Sequence, residues 1–277
     1  MGGVTEQRVM RRFTAEYLER TREGMWGGSR EALADLDLPN RDRILDVGCG
    51  TGELARVLAE DAPDAAVVGV DADPRLLRVA REQAGISVIG GDATRLPVVD
   101  DAADLVVCQA LLSNLPSPSE AVSAFARASS DLVAAVEPDN ASVGVDSSVA
   151  AEVTLERSVR EAYLDGVETD VSLGDRVSDL FADAGLSDIR TRRHHQRKVV
   201  EPPYSEGDVK SARLKATGEG LDRYETELRQ TLSDSEFDAL RAEWREMGRS
   251  VVDQMQAGQY RRAEVVPFDV TVGRVLD

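Results

Sequence analysis

Apolar positions along this chain alternate between two rhythms. Short unbroken runs, at Ile44–Val47, Ala66–Val70, Ile86–Ile89, Leu105–Cys108 and Leu132–Val136, have the pattern of strands buried on both faces. They predict strands over 43–47, 66–71, 86–90, 103–108 and 131–136. Between the runs, apolar residues recur every three or four positions, which predicts helices over 52–60 (Leu54, Val57, Leu58), 74–83 and 118–128. Pro74 suits the first turn of its helix, where the missing N–H costs nothing. Strand and helix in strict alternation predict a parallel, doubly wound α/β sheet covered on both sides. Upstream, an amphipathic helix is expected over 5–23 (Val9, Phe13, Tyr17, Leu18), then Trp26 and a short helix over 30–38. Downstream come a helix near 147–165, a helix over 174–184 ending at Gly185, a long strand over 186–200, a charged helical block over 207–257 and a closing strand over 265–275.

The first strand runs into Asp46-Val-Gly-Cys-Gly-Thr-Gly-Glu53, with glycines at alternate positions 48, 50 and 52. Glycine tolerates positive φ and removes Cβ, so a ligand can lie against bare backbone at the carboxyl end of a strand. The spacing G-x-G-x-G differs from the G-x-G-x-x-G of dinucleotide turns and lacks the Lys-Ser/Thr of a phosphate loop. Asp46 ahead of it favours a cationic ligand over a pyrophosphate. A second strand ends in Asp71, a carboxylate placed to accept ribose hydroxyls, which by itself fits NAD as well. A third ends in Asp92-Ala93. Each acid alone is equally a helix cap or turn residue.

Together these segments resemble the class I S-adenosylmethionine-dependent methyltransferases, small-molecule type. The resemblance implies a Rossmann-like, seven-stranded, mostly parallel sheet with one antiparallel strand, plus helical insertions. S-adenosylmethionine is the implied cofactor. Its contacts are carried over onto Asp46, Gly48, Gly50, Thr51, Gly52, Asp71, Ala72, Asp92, Ala93 and Gln109. The domain plan is an N-terminal helical lid over 1–39, a core over 40–200 and 264–277, and helical insertions over 141–172 and 201–263 forming a substrate cap. The closing strand would be the antiparallel one, with the helical block inside the usual hairpin of the last two strands. The resemblance specifies the cofactor, not the acceptor.

Composition narrows the setting. Acids outnumber bases 51 to 33, giving −18, and lysine occurs only at 198, 210 and 215, so thirty of the bases are arginine. Dispersed acidity with scarce lysine points to a cytoplasm of high salt, where screening suppresses self-repulsion, and so to a halophilic archaeon. It argues against broad nucleic-acid binding. Without a long apolar run or a signal-peptide pattern, the chain is expected to be cytoplasmic, with no membrane insertion. Cys49 and Cys108 fit a reducing compartment and offer no metal spacing.

The catalytic residues are unknown from sequence, with Glu137, Asn114 and His194 as candidates. The segment Gln109-Ala-Leu-Leu-Ser-Asn114 follows the fourth strand, where the resemblance places the meeting of cofactor and acceptor. It lacks the Asn/Asp-Pro-Pro-aromatic box of amine and base methyltransferases. Glu137 could hydrogen-bond substrate, act as base or simply cap a turn. His194 and His195 sit in the sole basic cluster, Arg190–Lys198, which either contacts an anion or nucleic acid, supplies a His base, or guards a late strand against pairing; alternation between faces favours the guard. The expected partners are a small-molecule acceptor and, for assembly, a second copy in a homodimer. The rival readings are an RNA or protein methyltransferase and a non-catalytic S-adenosylmethionine-binding regulatory module.

Overall fold

The computed structural model describes Leu18, Met25, Trp26 and residues 30–276. The helix expected over 5–23 lies outside the described residues apart from Leu18, which is helical and buried. The strands are β1 Arg43–Val47, β2 Ala66–Asp71, β3 Ser87–Gly90, β4 Ala103–Gln109, β5 Ser129–Pro138, β6 Gly144–Ser147, β7 Ser187–Val200 and β8 Arg262–Arg274. They hydrogen-bond in the order 3-2-1-4-5-8-6, with β7 also paired to β8. β1 to β5 are mutually parallel, whereas β8 runs antiparallel to β5 and β6. The doubly wound α/β class is therefore as expected, but the described residues give eight strands, not seven. The addition is β6, and it removes the start of the helix expected at 147: that helix, α4, spans Ala150–Gly166.

By contacts the chain divides into two compact units, 1–139 with 172–194 and 268–277, and 140–171 with 195–267. In the first, both faces of the parallel sheet are covered. Ile44, Leu105, Val107, Ala134 and Val136 pack under α1 (Glu53–Asp61) and the 3₁₀ turns of Arg30–Leu36. These turns are the short helix expected over 30–38, wound as 3₁₀. Leu54, Val57 and Leu58 of α1 are fully enclosed, each burial stabilising by roughly 1.5–3 kcal/mol. The opposite face, with Leu45, Val47, Val106, Cys108, Val133 and Ala135, packs against α3 (Pro118–Ala128) and α5 (Val177–Asp183). α2 (Pro74–Val79) continues into a π turn over Ala80–Ala84.

The second unit is helical, built from α4, α6 (Glu206–Thr217), α7 (Glu225–Thr231) and α8 (Asp234–Gln256) around Val159, Leu221, Leu228, Phe237, Trp244 and Met247. The expected block over 207–257 is broken twice. Gly218, at φ +81°, ends α6, and Ser233 opens α8 with a reciprocal capping box to Glu236. Inside this unit Glu152 is fully buried and accepts from Ser147 Oγ, Tyr260 Oη and Lys215 Nζ. Lys215 also meets Glu156 at 2.8 Å, and Arg262 bridges Glu156 and Glu264 at 2.6 Å each.

Candidate functional site

The register brings several carboxyl ends to one rim, because Val47 of β1 lies beside both Val70 of β2 and Cys108 of β4. Past Val47 the chain enters its glycine turn with φ of +71° at Gly48, +56° at Gly50 and +84° at Gly52. Gly48 is required twice over, since a Cβ there would also stand 2.8 Å from Leu111 Cδ1. Backbone bonds pin the turn: the N–H groups of Gly48 and Cys49 donate to the Val70 carbonyl at 2.7 and 3.0 Å. Gly52 then serves as the residue before α1. Thr51 is buried.

Asp71, at the end of β2, holds this turn directly. Its Oδ2 accepts the Gly50 N–H at 2.9 Å and its Oδ1 accepts the Asp73 N–H at 2.8 Å. A carboxylate has about four acceptor positions, so these two bonds leave capacity for further donors. The residue is half-buried and Ala72 beside it is exposed. At the end of β3, exposed Asp92 accepts both the N–H and the Oγ–H of Thr94 through Oδ1, each at 2.8 Å, with half-buried Ala93 between them. Asp46 is enclosed on β1 itself. The ten positions assigned to the cofactor thus include three carboxylates and a bare, positively disposed turn. The three carboxylates fit a cationic nucleoside better than a pyrophosphate, which they would repel.

The residues after β4 form the adjoining part of the rim. Gln109 is buried and its Nε2 donates to Met25 Sδ at 2.9 Å. Trp26 is buried as well, edge-on to Phe268 at 6.3 Å, so its role here is packing. Half-buried His194 stacks on the same ring at 5.6 Å. Ala110 adopts φ +49°, and Asn114 Nδ2 donates back to its carbonyl at 2.9 Å. The sequence offers Glu137 as a base facing substrate; the structure turns it inward. Fully enclosed, it accepts the N–H groups of Leu111 and Leu112 at 2.9 and 2.8 Å, the Ser113 N–H at 3.3 Å and the Ser113 Oγ–H at 2.7 Å. Burial pushes its carboxyl up, and these donors pull it back only in part. To take a proton from an acceptor it would have to abandon four hydrogen bonds.

The basic strand is occupied within the chain. Arg192 pairs with Asp35 at 2.8 Å, and Arg193 clasps Asp269 through two bonds of 3.0 and 2.8 Å while reaching Asp139 at 3.0 Å. The Asp269 hydrogen bond is the main reason that Arg193 is held even more firmly charged than an ordinary arginine. The sequence reading placed Asp139 on this rim but not Asp269, whose meeting with Arg193 depends on strands far apart in the chain. Both cysteines are free and buried, and burial pushes the Cys108 thiol well up, so it behaves as a small core residue. Among the described residues, no cluster of His, Cys, Asp and Glu could hold a metal, and no helix is long and apolar enough to cross a membrane.

Residues 44–132 match the family model of a methyltransferase domain. The chain is 40% identical over 87 residues to a demethylmenaquinone methyltransferase of Deinococcus radiodurans, covering 30% of this chain and 36% of that one. It is 34% identical over 127 residues to a trans-aconitate 2-methyltransferase of Variovorax paradoxus, covering 44% and 46%. The match therefore spans less than half the length of either relative. In fold, it resembles a putative methyltransferase from Bacillus halodurans with a TM-score of 0.54 at 16% identity, over 91% of this chain and 100% of that one. Residues 44–132 are thus a methyltransferase domain by sequence, and that match supports an enzyme domain that uses S-adenosylmethionine.

Proposed function

We propose that the whole chain transfers a methyl group from S-adenosylmethionine to a small-molecule acceptor by in-line displacement. The observation that carries this reading is the tether between Asp71 and Gly50, which fixes a Cβ-free turn beside a carboxylate at the shared rim of β1, β2 and β4. When bound, the cofactor supplies an electrophilic methyl on a sulfonium. Backbone 48–52 would hold its amino-acid portion, Asp71 the ribose, and Asp92 with Ala93 the adenine, with Gln109 as a further contact. The protein's own work is alignment and exclusion of water, and proximity of this kind can supply much of the acceleration. An acceptor with a neutral O–H or N–H would also need a base. Of the three candidates, Glu137 and Asn114 are committed to the loop after β4, which leaves the half-buried imidazole of His194.

The small-molecule class is supported by the relatives, named for demethylmenaquinone and trans-aconitate. We assign acceptor choice to the helical unit. The RNA reading is weakened by the ion pairs that already engage Arg192 and Arg193. Calorimetry at molar KCl with S-adenosylhomocysteine and with NAD tests the cofactor, and preferential NAD binding would overturn it. Labelled methyl transfer to pooled small metabolites, set against RNA and protein, then tests the acceptor. Tight cofactor binding with no transfer to any of them would favour a regulatory module.

A further inference from the structure

The loop after β4 is shaped by a residue on a different strand. Glu137 lies on β5, and its one carboxylate gathers the main-chain N–H groups of three consecutive loop residues, Leu111, Leu112 and Ser113, together with the Ser113 hydroxyl. The same path is anchored by Leu112, which is enclosed in the core. Ala110 must enter a left-handed conformation that costs a non-glycine residue energy, and that turn is closed by the Ala110 N–H to the Val136 carbonyl at 2.8 Å and by the Asn114 amide. The result is to drive the Leu111 side chain against Gly48, so closely that even a methyl on Gly48 would stand 2.8 Å from it. Gly48 is the first residue of the turn that Asp71 holds from the other side.

We infer that Glu137 is a positioning residue for the cofactor: it seats Leu111 on Gly48, so that the glycine turn is clamped between the β4 loop and Asp71. This rests on the methyltransferase reading, in which residues 48–52 hold the cofactor. Glu137 acts through Leu111 and touches neither cofactor nor acceptor. Its carboxylate is needed because four N–H and O–H donors converge on it beside the weaker Cys108 thiol, and a carboxylate offers acceptors on both oxygens where a carboxamide offers them on one. Ser113 contributes two of the four bonds, and Ser113→Ala removes only that of the hydroxyl, so it should loosen the clamp without releasing it.

The test is calorimetric titration of S-adenosylhomocysteine into the full chain at molar KCl, with urea unfolding of each variant to score the folded fraction. Glu137→Gln should weaken binding on the order of tenfold, as expected for loss of bonds to a charged acceptor. Ser113→Ala should weaken it only about two- to fivefold. Leu111→Ala removes the relay and leaves the carboxylate and its donors in place. It should weaken binding as Glu137→Gln does, and the double variant should be no worse than either single one, because both break the same chain of contacts. Should Glu137→Gln fail to fold, the Ser113→Ala and Leu111→Ala pair still decides. Full affinity in folded Glu137→Gln, full affinity in Leu111→Ala, or additive losses in the double variant would each overturn the inference. Failure of the unaltered chain to bind S-adenosylhomocysteine would instead overturn the functional reading beneath it.

Discussion

Replacing Asp71 by alanine separates two jobs that one side chain performs. Cofactor-free, the carboxylate accepts the N–H groups of Gly50 and Asp73 at 2.9 and 2.8 Å, tying the glycine turn to the end of β2. Losing a charged acceptor from the buried Gly50 amide and the half-buried Asp73 amide costs roughly 1–3 kcal/mol of stability. With cofactor, the same variant forgoes the ribose hydroxyls. Hydrogen bonds to a charged group contribute about 1.5–3 kcal/mol, which corresponds to roughly a 10- to 150-fold weaker dissociation constant for S-adenosylhomocysteine. Urea unfolding without ligand reads the first quantity and calorimetry reads the second. Asp71→Asn keeps one carbonyl oxygen and turns an NH₂ toward the other backbone donor, so it should fall between alanine and the parent in both assays. An alanine variant that binds within twofold of the parent would refute the reasoning, since the carboxylate would then play no part in holding the nucleoside.

Three further outcomes follow from other parts of the molecule. Gly48→Ala places a Cβ at φ +71° and 2.8 Å from Leu111, and should cost about 1–3 kcal/mol of stability along with most cofactor binding; denaturant curves and calorimetry check it, and a neutral variant would mean that the turn relaxes freely. Burial alone would raise the carboxyl of Glu156, but the charges of Lys215 and Arg262 outweigh it and lower it to about 2. Its depressed value means that it stabilises the fold above about pH 4.5 and loses that contribution as pH falls towards 2, on the order of 3 kcal/mol in all. Acid titration of Glu156→Gln should therefore show a flatter acid limb, and identical limbs would count against it. Finally, a net charge of −18 predicts a higher unfolding midpoint in molar KCl than in dilute buffer, and the reverse order would remove the halophilic reading.

Much of the sheet was legible because its strands are apolar on both faces, a pattern that needs no partner to be recognised. β6 was not, because Gly144-Val-Asp-Ser147 carries no apolar run and becomes a strand only by pairing with residues 262–265. The helices at 30–38 and 74–83 were legible as helices but not in their winding: apolar spacing marks the buried side and does not distinguish α from 3₁₀ or π. At the site, the glycines and the strand-end acids were visible as residue types in order. The inward direction of Glu137 was not, because it depends on how the backbone at 110–113 folds back towards β5. Nor could sequence show Arg193 closing on Asp139 and Asp269, which requires β5, β7 and β8 to be neighbours.

Lys215 stands in contact with both Glu152 and Glu156, deep in the helical unit of a chain that takes almost every other positive charge from arginine. An ammonium is a compact point charge that can sit between two carboxylates, whereas a guanidinium is a flat fork needing room along its plane. The usual exchange of these two side chains would therefore be disruptive at 215 and harmless at most surface positions. A residue that composition makes look like a leftover thus shares Glu152 and Glu156 with the guanidinium of Arg262, the compact charge and the flat one approaching the same pair of carboxylates.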